Sequence, residues 1–306
     1  MKPTAPKNVA HSVRDRLFKL AKARGEDFNF VLVRYALERL LYRLSKSSHA
    51  AEFILKGAML FTVWSKHRHR ATKDLDLLGS GTPDLGRLAE VFREVSALSV
   101  QDDGMIFDPA SVQARRIKED AEYEGVRITL EAKLGSARLG LQVDVGFGDS
   151  VTPPATTIAF PTLLPFSSPI IRAYARETVV AEKLHAMVDL GMANTRMKDF
   201  FDVWFLCREF EFQGQSLIGA IRATFERRQT PIPDGLPIAL TEEFALNEVK
   251  ATQWKAFLSR SRVVETALEL PEVVDTIAIF LRPAMEAARG GGLWTMSWSP
   301  TSRWTR

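Results

Sequence analysis

The sequence predicts an α+β protein, in which an N-terminal lobe with a mixed β-sheet flanked by helices precedes an all-helical C-terminal lobe. Three observations carry this prediction. Strand-like alternation of apolar and polar residues occurs only in the first half of the 306 residues, and helical spacing dominates the second half. Five prolines in residues 151–169 separate the two halves. We therefore expect domains at residues 1–165 and 166–289, followed by a flexible tail at residues 290–306.

Helices open the N-terminal lobe. Residues 29–45 have apolar side chains at the spacing of one helix face. A second helical segment is predicted over residues 48–64, where Gly57 allows the chain to turn from one element into the next. The apolar positions of the first segment are Phe30, Val33, Leu37, Leu40, Leu41 and Leu44.

Three strands are predicted after these helices. Residues 74–78 alternate between acidic and apolar side chains, and a capped helix follows to about residue 98. Residues 126–134 and 137–145 also alternate, so Gly135 and Ser136 form the expected hairpin turn.

The C-terminal half contains helical patterns followed by an unpatterned tail. Residues 290–306 contain three glycines and three tryptophans without periodicity, and we expect them to be poorly ordered. The predicted helices are 177–190, 198–208, 217–228, 242–258 and 263–285.

Composition excludes several classes of protein. A hydrophobic content of 46% with 25% charged residues is typical of a globular protein, not of a disordered one. Cys207 is the single cysteine, which rules out an intramolecular disulfide and a zinc site built on several cysteines. The first residues carry no apolar signal segment, and no apolar run is long enough to cross a bilayer. We expect a cytoplasmic protein with no membrane partner.

Positive charge is concentrated at the N-terminus. Residues 1–50 hold 11 Lys or Arg and 4 Asp or Glu, although the whole chain has a net charge of only +4. A basic helical arm is typical of proteins that bind an anionic polymer such as RNA. A solvated helix surface explains the same charge equally well.

A pair of aspartates carries the clearest chemical signal. Asp74 and Asp76 are two residues apart on a predicted strand, so both side chains project from one face. Adjacent carboxylates repel each other unless a cation lies between them. Either a metal ion or a neighbouring arginine such as Arg70 could supply that charge. Asp144, on the predicted strand 137–145, would be a third carboxylate for a pair of divalent ions.

An ordered set of motifs resembles the AbiEii/AbiGii toxin family, to which the MenT-type toxins belong. These are nucleotidyltransferase-fold proteins of type IV toxin–antitoxin and abortive-infection systems. The resemblance covers about residues 29–208. In chain order the motifs are Lys56-Gly57-Ala58, Arg70-x-Thr72-x-Asp74-x-Asp76, Asp144, Glu182-Lys183 and Lys198-Asp199-x-x-Asp202.

The resemblance implies a role for each motif. Asp74, Asp76 and Asp144 would bind Mg²⁺ or Mn²⁺. Ala58 stands where many nucleotidyltransferases have serine, which leaves backbone contacts to phosphate. The implied catalytic residues are Asp74, Asp76, Asp144, Lys183 and Asp202. The implied nucleotide- and phosphate-binding residues are Lys56, Gly57, Ala58, Arg70, Thr72, Lys198 and Asp199.

Two of these assignments have structural alternatives. Lys183 lies on an otherwise apolar helix face and needs a partner, which is a triphosphate, Glu182 or a nearby aspartate. Asp199 could equally be a structural cap or part of a surface pair.

The resemblance also implies a reaction. The protein would transfer a nucleotide from a nucleoside triphosphate to the 3′ acceptor end of tRNA and so block translation. A cognate antitoxin would be encoded nearby, and we make no prediction about direct contact with it. The alternatives are a protein or small-molecule acceptor, or a binding module that has lost catalysis.

Overall fold

The computed structural model describes residues 8–65, 72–118, 124–261 and 267–306. It contains two compact units, unit 1 (Met1–Gly148 and Thr156–Ala173) and unit 2 (Asp149–Ala155 and Tyr174–Arg306). The final boundary between the two units therefore follows residue 173, whereas we predicted a boundary after residue 165. Two short strands in the proline-rich segment account for the difference, because they complete the sheet of unit 1.

Unit 1 is a mixed β-sheet with helices packed against it. Within the described residues the strand order is β3-β4-β5-β2-β1-β7-β6. The strands are β1 (Phe53–Lys56), β2 (Asp74–Gly79), β3 (Met105–Lys118), β4 (Glu124–Leu134), β5 (Ala137–Phe147), β6 (Thr156–Ala159) and β7 (Ile170–Ala173). The helices are α1 (Val9–Arg24), α2 (Phe28–Lys46), α3 (Phe61–Trp64) and α4 (Leu85–Ala97).

Side-chain caps begin three of these helices. The side chains of Asn8, Asp27 and Asp84 each accept a hydrogen bond from the backbone N–H three residues later. Such caps satisfy amides that have no partner within the helix. Short polar residues thus mark the beginnings of α1, α2 and α4 in the sequence.

Two faces of the sheet differ in chemistry. Along β4 and β5 the even-numbered residues of β4 and the odd-numbered residues of β5 are buried, including Ile128 and Val143. α2 packs on β5, and α4 packs on β3 and β4, on this buried face. α1 packs on α2 and on β4, and Ala10 lies beside Leu134. All three helices therefore lie on the same side of β4 and β5.

The predicted hairpin and first strand are confirmed. β4 and β5 pair from Leu134 and Ala137 back to Val126 and Val145, around the turn at Gly135 and Ser136. Strand β2 begins at Asp74, as predicted.

The predicted second helical segment at residues 48–64 is wrong in its middle. Residues Phe53–Lys56 form β1, which pairs with β2 and β7, and helical turns occupy only its flanks. All four residues of β1 are buried. A strand buried on both faces reads as a continuous apolar run, which periodicity does not separate from a buried helix.

Part of the positive charge of the N-terminal arm is buried. Arg43 donates two hydrogen bonds to Asp103, of 2.8 and 3.1 Å, and Arg39 donates one of 2.7 Å to the Ser167 carbonyl oxygen. Both arginines are less than 10% exposed. These two cations stabilise unit 1 from within and do not present charge to an external polymer.

Unit 2 is mainly helical. Its helices are α5 (Arg176–Leu190), α6 (Met197–Glu209), α7 (Gly214–Arg227), α8 (Glu242–Ala245), α9 (Glu248–Ser261) and α10 (Leu270–Arg289). Its strands are β8 (Phe212–Gln213), β9 (Ser297–Ser299) and β10 (Arg303–Thr305). The predicted helix 242–258 is divided between α8 and α9, and the predicted start of helix 263–285 lies outside the described residues.

The prediction of a poorly ordered tail is wrong. β9 and β10 form a hairpin, and β9 pairs with β8. Trp298 is 4% exposed, and its indole N–H donates a hydrogen bond of 2.7 Å to the Cys207 carbonyl oxygen. The indole N–H of Trp304 donates a hydrogen bond of 2.9 Å to the Phe280 carbonyl oxygen. The tryptophans anchor the segment because each buries a large ring and satisfies its indole N–H.

No helix in the described part of the chain is both long enough and apolar enough to cross a membrane.

Candidate active site

The structure brings the three predicted carboxylates onto one face of neighbouring strands. β2 and β5 are parallel, and their register places Asp76 beside Asp144 and Asp74 beside Gln142. The alternating residues Leu75 and Val143 are fully buried on the other face. Asp74, Asp76 and Asp144 are half-buried, and we call them the carboxylate cluster.

An arginine that the sequence analysis missed holds one member of this cluster. Arg127 lies opposite Asp144 and binds it with both arms, at 2.8 Å from Nε and 2.7 Å from the terminal nitrogen. Gln142 donates a further hydrogen bond of 3.2 Å to the same carboxylate. The hydrogen bond to Asp144 raises the pKa of Arg127, and the charges of Asp144, Asp74 and Asp76 raise it further.

A sequence signal for Arg127 existed. The predicted hairpin pairs Leu134 with Ala137, so each residue further back on β4 pairs with one residue further forward on β5. Counted in this way, Arg127 must lie opposite Asp144. Arg70, one of the two alternatives for the cation beside the carboxylates and a predicted phosphate-binding residue, lies outside the described residues.

The glycine turn packs against the carboxylate cluster from the β1 side. Lys56 is opposite Asp76 in the register of β1 and β2. Gly57 has a φ of +73°, and a Cβ added there would lie 2.0 Å from Asp76 Oδ2. Glycine is required here for both conformation and space. Ala58 then begins a helical turn that leads into α3.

Thr72 lies just before β2. Its hydroxyl is 3.4 Å from the carbonyl oxygen and 3.5 Å from the amide nitrogen of Asp74. It therefore contacts the backbone at the first cluster residue.

Unit 2 contains a separate group of charges, which we call the helix cluster: Lys183, Arg196, Asp199 and Asp202. Lys183 Nζ lies 2.5 Å from Asp199 Oδ1 and 2.8 Å from Asp202 Oδ2. Arg196 Nε lies 2.7 Å from Asp199 Oδ2. The three-residue spacing places both aspartates on the face of α6 that meets α5.

The electrostatics of the helix cluster favour an ionised Asp199 carboxylate. Burial alone would raise the pKa of Asp199, but the cations Lys183, Arg196 and Lys198 outweigh it and the net shift is downward. Asp199 and Asp202 are at most 1% exposed, whereas Lys198 is exposed. The nearby aspartates, one of the alternatives for Lys183, are thus its partners in this structure.

The residues of the carboxylate cluster can be tested for their fit to a metal ion. In the part of the chain that the structure describes, no group of three or more His, Cys, Asp or Glu side chains is arranged to hold one. Mg²⁺ commonly takes one or two carboxylates and completes its shell with water and substrate phosphates. Asp74 and Asp76 fit that pattern. Asp144 fits only if Arg127 gives up at least one of its hydrogen bonds.

Comparison with known proteins identifies the family. The model of the family "Nucleotidyl transferase AbiEii toxin, Type IV TA system" matches residues 39–278. The search of curated proteins found no match. A crystal structure described as a "putative nucleotidyltransferase from H. pylori" is 14% identical, covers 85% of this chain and 96% of its own, and has a TM-score of 0.49. The structure of JHP933 from Helicobacter pylori is also 14% identical, with coverages of 83% and 91% and a TM-score of 0.48.

The family match spans β1, β2, the β4–β5 hairpin, α5 and α6, and so includes the carboxylate cluster and the helix cluster. The chain therefore belongs to the AbiEii family of nucleotidyltransferase toxins of type IV toxin–antitoxin systems, a family that implies a cognate antitoxin.

Proposed function

We propose that this toxin transfers a nucleotide from a nucleoside triphosphate to the 3′ end of tRNA in a reaction that depends on Mg²⁺. The observation that carries the proposal is the placement of Asp76 between Gly57 on one side and Asp144 on the other. In the reaction, the acceptor 3′ oxygen bonds to the α-phosphorus, the bond from the α-phosphorus to the pyrophosphate oxygen breaks, pyrophosphate leaves, and the acceptor hydroxyl gives up its proton to water.

The residues of unit 1 take the following roles in this proposal. Asp74 and Asp76 would hold the ion, which when bound neutralises charge on the triphosphate. Gly57 leaves room for the Asp76 carboxylate and lets phosphate oxygens approach the backbone. Arg127 would hold Asp144 in one orientation through two charge-assisted hydrogen bonds. Asp144 is the third candidate ligand, provided that the Arg127 guanidinium gives up a hydrogen bond to it.

For unit 2, the family resemblance assigns Lys183 and Asp202 to the reaction. A lysine ammonium has three N–H donors, and Asp199 and Asp202 each lie within hydrogen-bonding distance of the Lys183 nitrogen. This arrangement fixes the position of the cation, which is what binding of a phosphate requires.

The test is transfer of label from each of the four α-labelled nucleoside triphosphates to total tRNA with Mg²⁺. We expect label from at least one nucleotide, lost when EDTA removes the ion. Label on protein or on small molecules instead of tRNA would show that the acceptor is not tRNA. Absence of transfer to any acceptor, with folded protein and no binding of Mn²⁺, would favour a non-catalytic module.

Replacing Gly57 by alanine should reduce the rate of transfer by about 100-fold or more, because it displaces Asp76. It should also destabilise unit 1 by about 1–3 kcal/mol. The new methyl group would collide with Asp76 in a backbone conformation that disfavours side chains. Initial rates and urea denaturation measure the two effects.

Two glycines serve as controls. Gly81 has a φ of +85° with open space around it, so Gly81→Ala reports backbone strain alone. Gly140→Ala has neither strain nor a nearby atom. Equal activity of Gly57→Ala and Gly140→Ala would contradict the role of the glycine turn.

A further inference from the structure

One face of β3, β4 and β5, which we call the open face, continues outward from the carboxylate cluster. Asp144 lies beside Arg127 on β4, and Arg127 lies opposite Arg115 on β3. Partners in register project from the same face of a sheet, so these side chains form one row. Gln142 and Thr129 form the adjacent row. The helices of unit 1 pack on the other face.

The arginine pair, Arg115 and Arg127, is unfavourable for the fold alone. Like charges directly opposite each other on neighbouring strands destabilise a sheet. Asp144 offsets the charge of Arg127. Arg115 is exposed, and among the residues that the structure describes it has no ion-pair partner. A guanidinium in this position is available for charge-assisted hydrogen bonds to an anionic ligand.

The order of strands suggests which ligand this is. The glycine turn approaches Asp76 from the β1 side, whereas the arginine pair lies on the β4–β3 side. Three strand spacings, about 14 Å, separate β2 from β3. In an in-line displacement the attacking and leaving oxygens occupy opposite sides of the phosphorus. The donor phosphates therefore suit the glycine side, and the acceptor suits the arginine side.

Acidic residues limit the extent of this surface. Asp108 and Glu131 lie opposite each other, four residues along β4 from Arg127, about 13 Å away. They would repel a polyanion. The attractive part of the open face is thus confined to the end next to Asp144.

We propose that Arg115 and Arg127, with the polar row beside them, bind the sugar–phosphate backbone of the RNA acceptor next to its 3′ end. This inference rests on the proposed function. The basic N-terminal arm is the other candidate for binding the acceptor. Its helix α1 packs on the side of the sheet opposite the carboxylate cluster, so we do not assign these contacts to the arm. The occupant is an RNA strand, and the contacts carry no sequence information.

The experiment compares wild type with Arg115→Gln in two assays: steady-state transfer to tRNA, and fluorescence anisotropy of labelled tRNA without nucleotide. We expect the KM and the Kd for tRNA to rise about three- to tenfold. The slope of log Kd against the logarithm of the salt concentration should decrease by about one. The kcat and the KM for the triphosphate should be unchanged. Arg115→Lys should recover most of the affinity.

Lys19→Gln is the matched control, since it removes one exposed charge from α1. A larger effect from Lys19→Gln than from Arg115→Gln would place the acceptor on the arm and overturn the inference. A raised KM for the triphosphate alone would assign the arginine pair to the donor and also overturn it. The thermal midpoint of Arg115→Gln should equal or exceed that of wild type, because a repulsive pair is removed.

The two proposals fail in different ways. Transfer to tRNA with an unchanged KM in Arg115→Gln overturns the arginine surface and leaves the proposed function intact. Weaker tRNA binding by Arg115→Gln, without transfer to tRNA by wild type, supports the surface and overturns the reaction.

Discussion

Replacing Asp76 by asparagine should reduce nucleotide transfer by about a thousandfold or more, equivalent to about 4 kcal/mol of transition-state stabilisation, while the protein remains folded. The substitution keeps the shape of the side chain and removes its charge. Asp76 is the cluster member in contact range of Gly57 and next to Asp144, so the proposed ion loses its central ligand. Initial rates of label transfer with saturating substrates measure the effect.

A loss of fold is the other possible cause of lost activity, and the thermal midpoint of Asp76→Asn, measured without divalent ions, tests it. The Asp76 charge is repelled by the neighbouring carboxylates and attracted by Arg127, so its removal has opposing effects. We therefore expect the thermal midpoint to stay within about 4 °C of that of wild type. Glu131→Gln on β4 is the control, because this residue is exposed on the same face and away from the carboxylate cluster. Full transfer activity in Asp76→Asn would refute the proposed site.

Replacing Lys183 by methionine should destabilise unit 2 by about 3–5 kcal/mol. Methionine keeps the length of the aliphatic chain and removes the ammonium group. Asp199 and Asp202 would then remain in a buried environment without the cation that lies within 2.8 Å of both. Arg196 would still contact Asp199. Urea denaturation followed by circular dichroism measures the change.

The companion variants separate the loss of the buried cation from a general effect of replacing lysine by methionine. Lys198→Met removes an exposed lysine from α6, the helix that carries both aspartates, and its effect should stay within about 0.5 kcal/mol of wild type. Adding Asp202→Asn to Lys183→Met should recover part of the loss, because a buried charge that has lost its contact with Lys183 is removed. Wild-type stability in Lys183→Met would show that the helix cluster does not depend on its lysine. Activity of this variant should be normalised to the folded fraction.

Helices and strands were predictable from the sequence where a residue pattern is typical of only one kind of secondary structure. Alternation identified β2 and the hairpin of β4 and β5, and helical spacing identified α2 and α5. The errors arose where a pattern had two meanings. The apolar residues of β1 suit a helix or a strand buried on both faces, and the tryptophans of residues 290–306 pack only once Cys207 and Phe280 lie near them.

The motifs by themselves determined the family and the fold class, and they supplied the candidate residues for the chemistry. Short-range spacing carries that information, because two residues on a strand or three on a helix fix which side chains share a face. The tertiary structure decided which charges meet. It paired Arg127 with Asp144, Lys183 with two aspartates and Arg43 with Asp103, and it placed α1 on the side of the sheet away from the carboxylates. Such pairings join residues distant in sequence, and their energies depend on burial that no local pattern encodes.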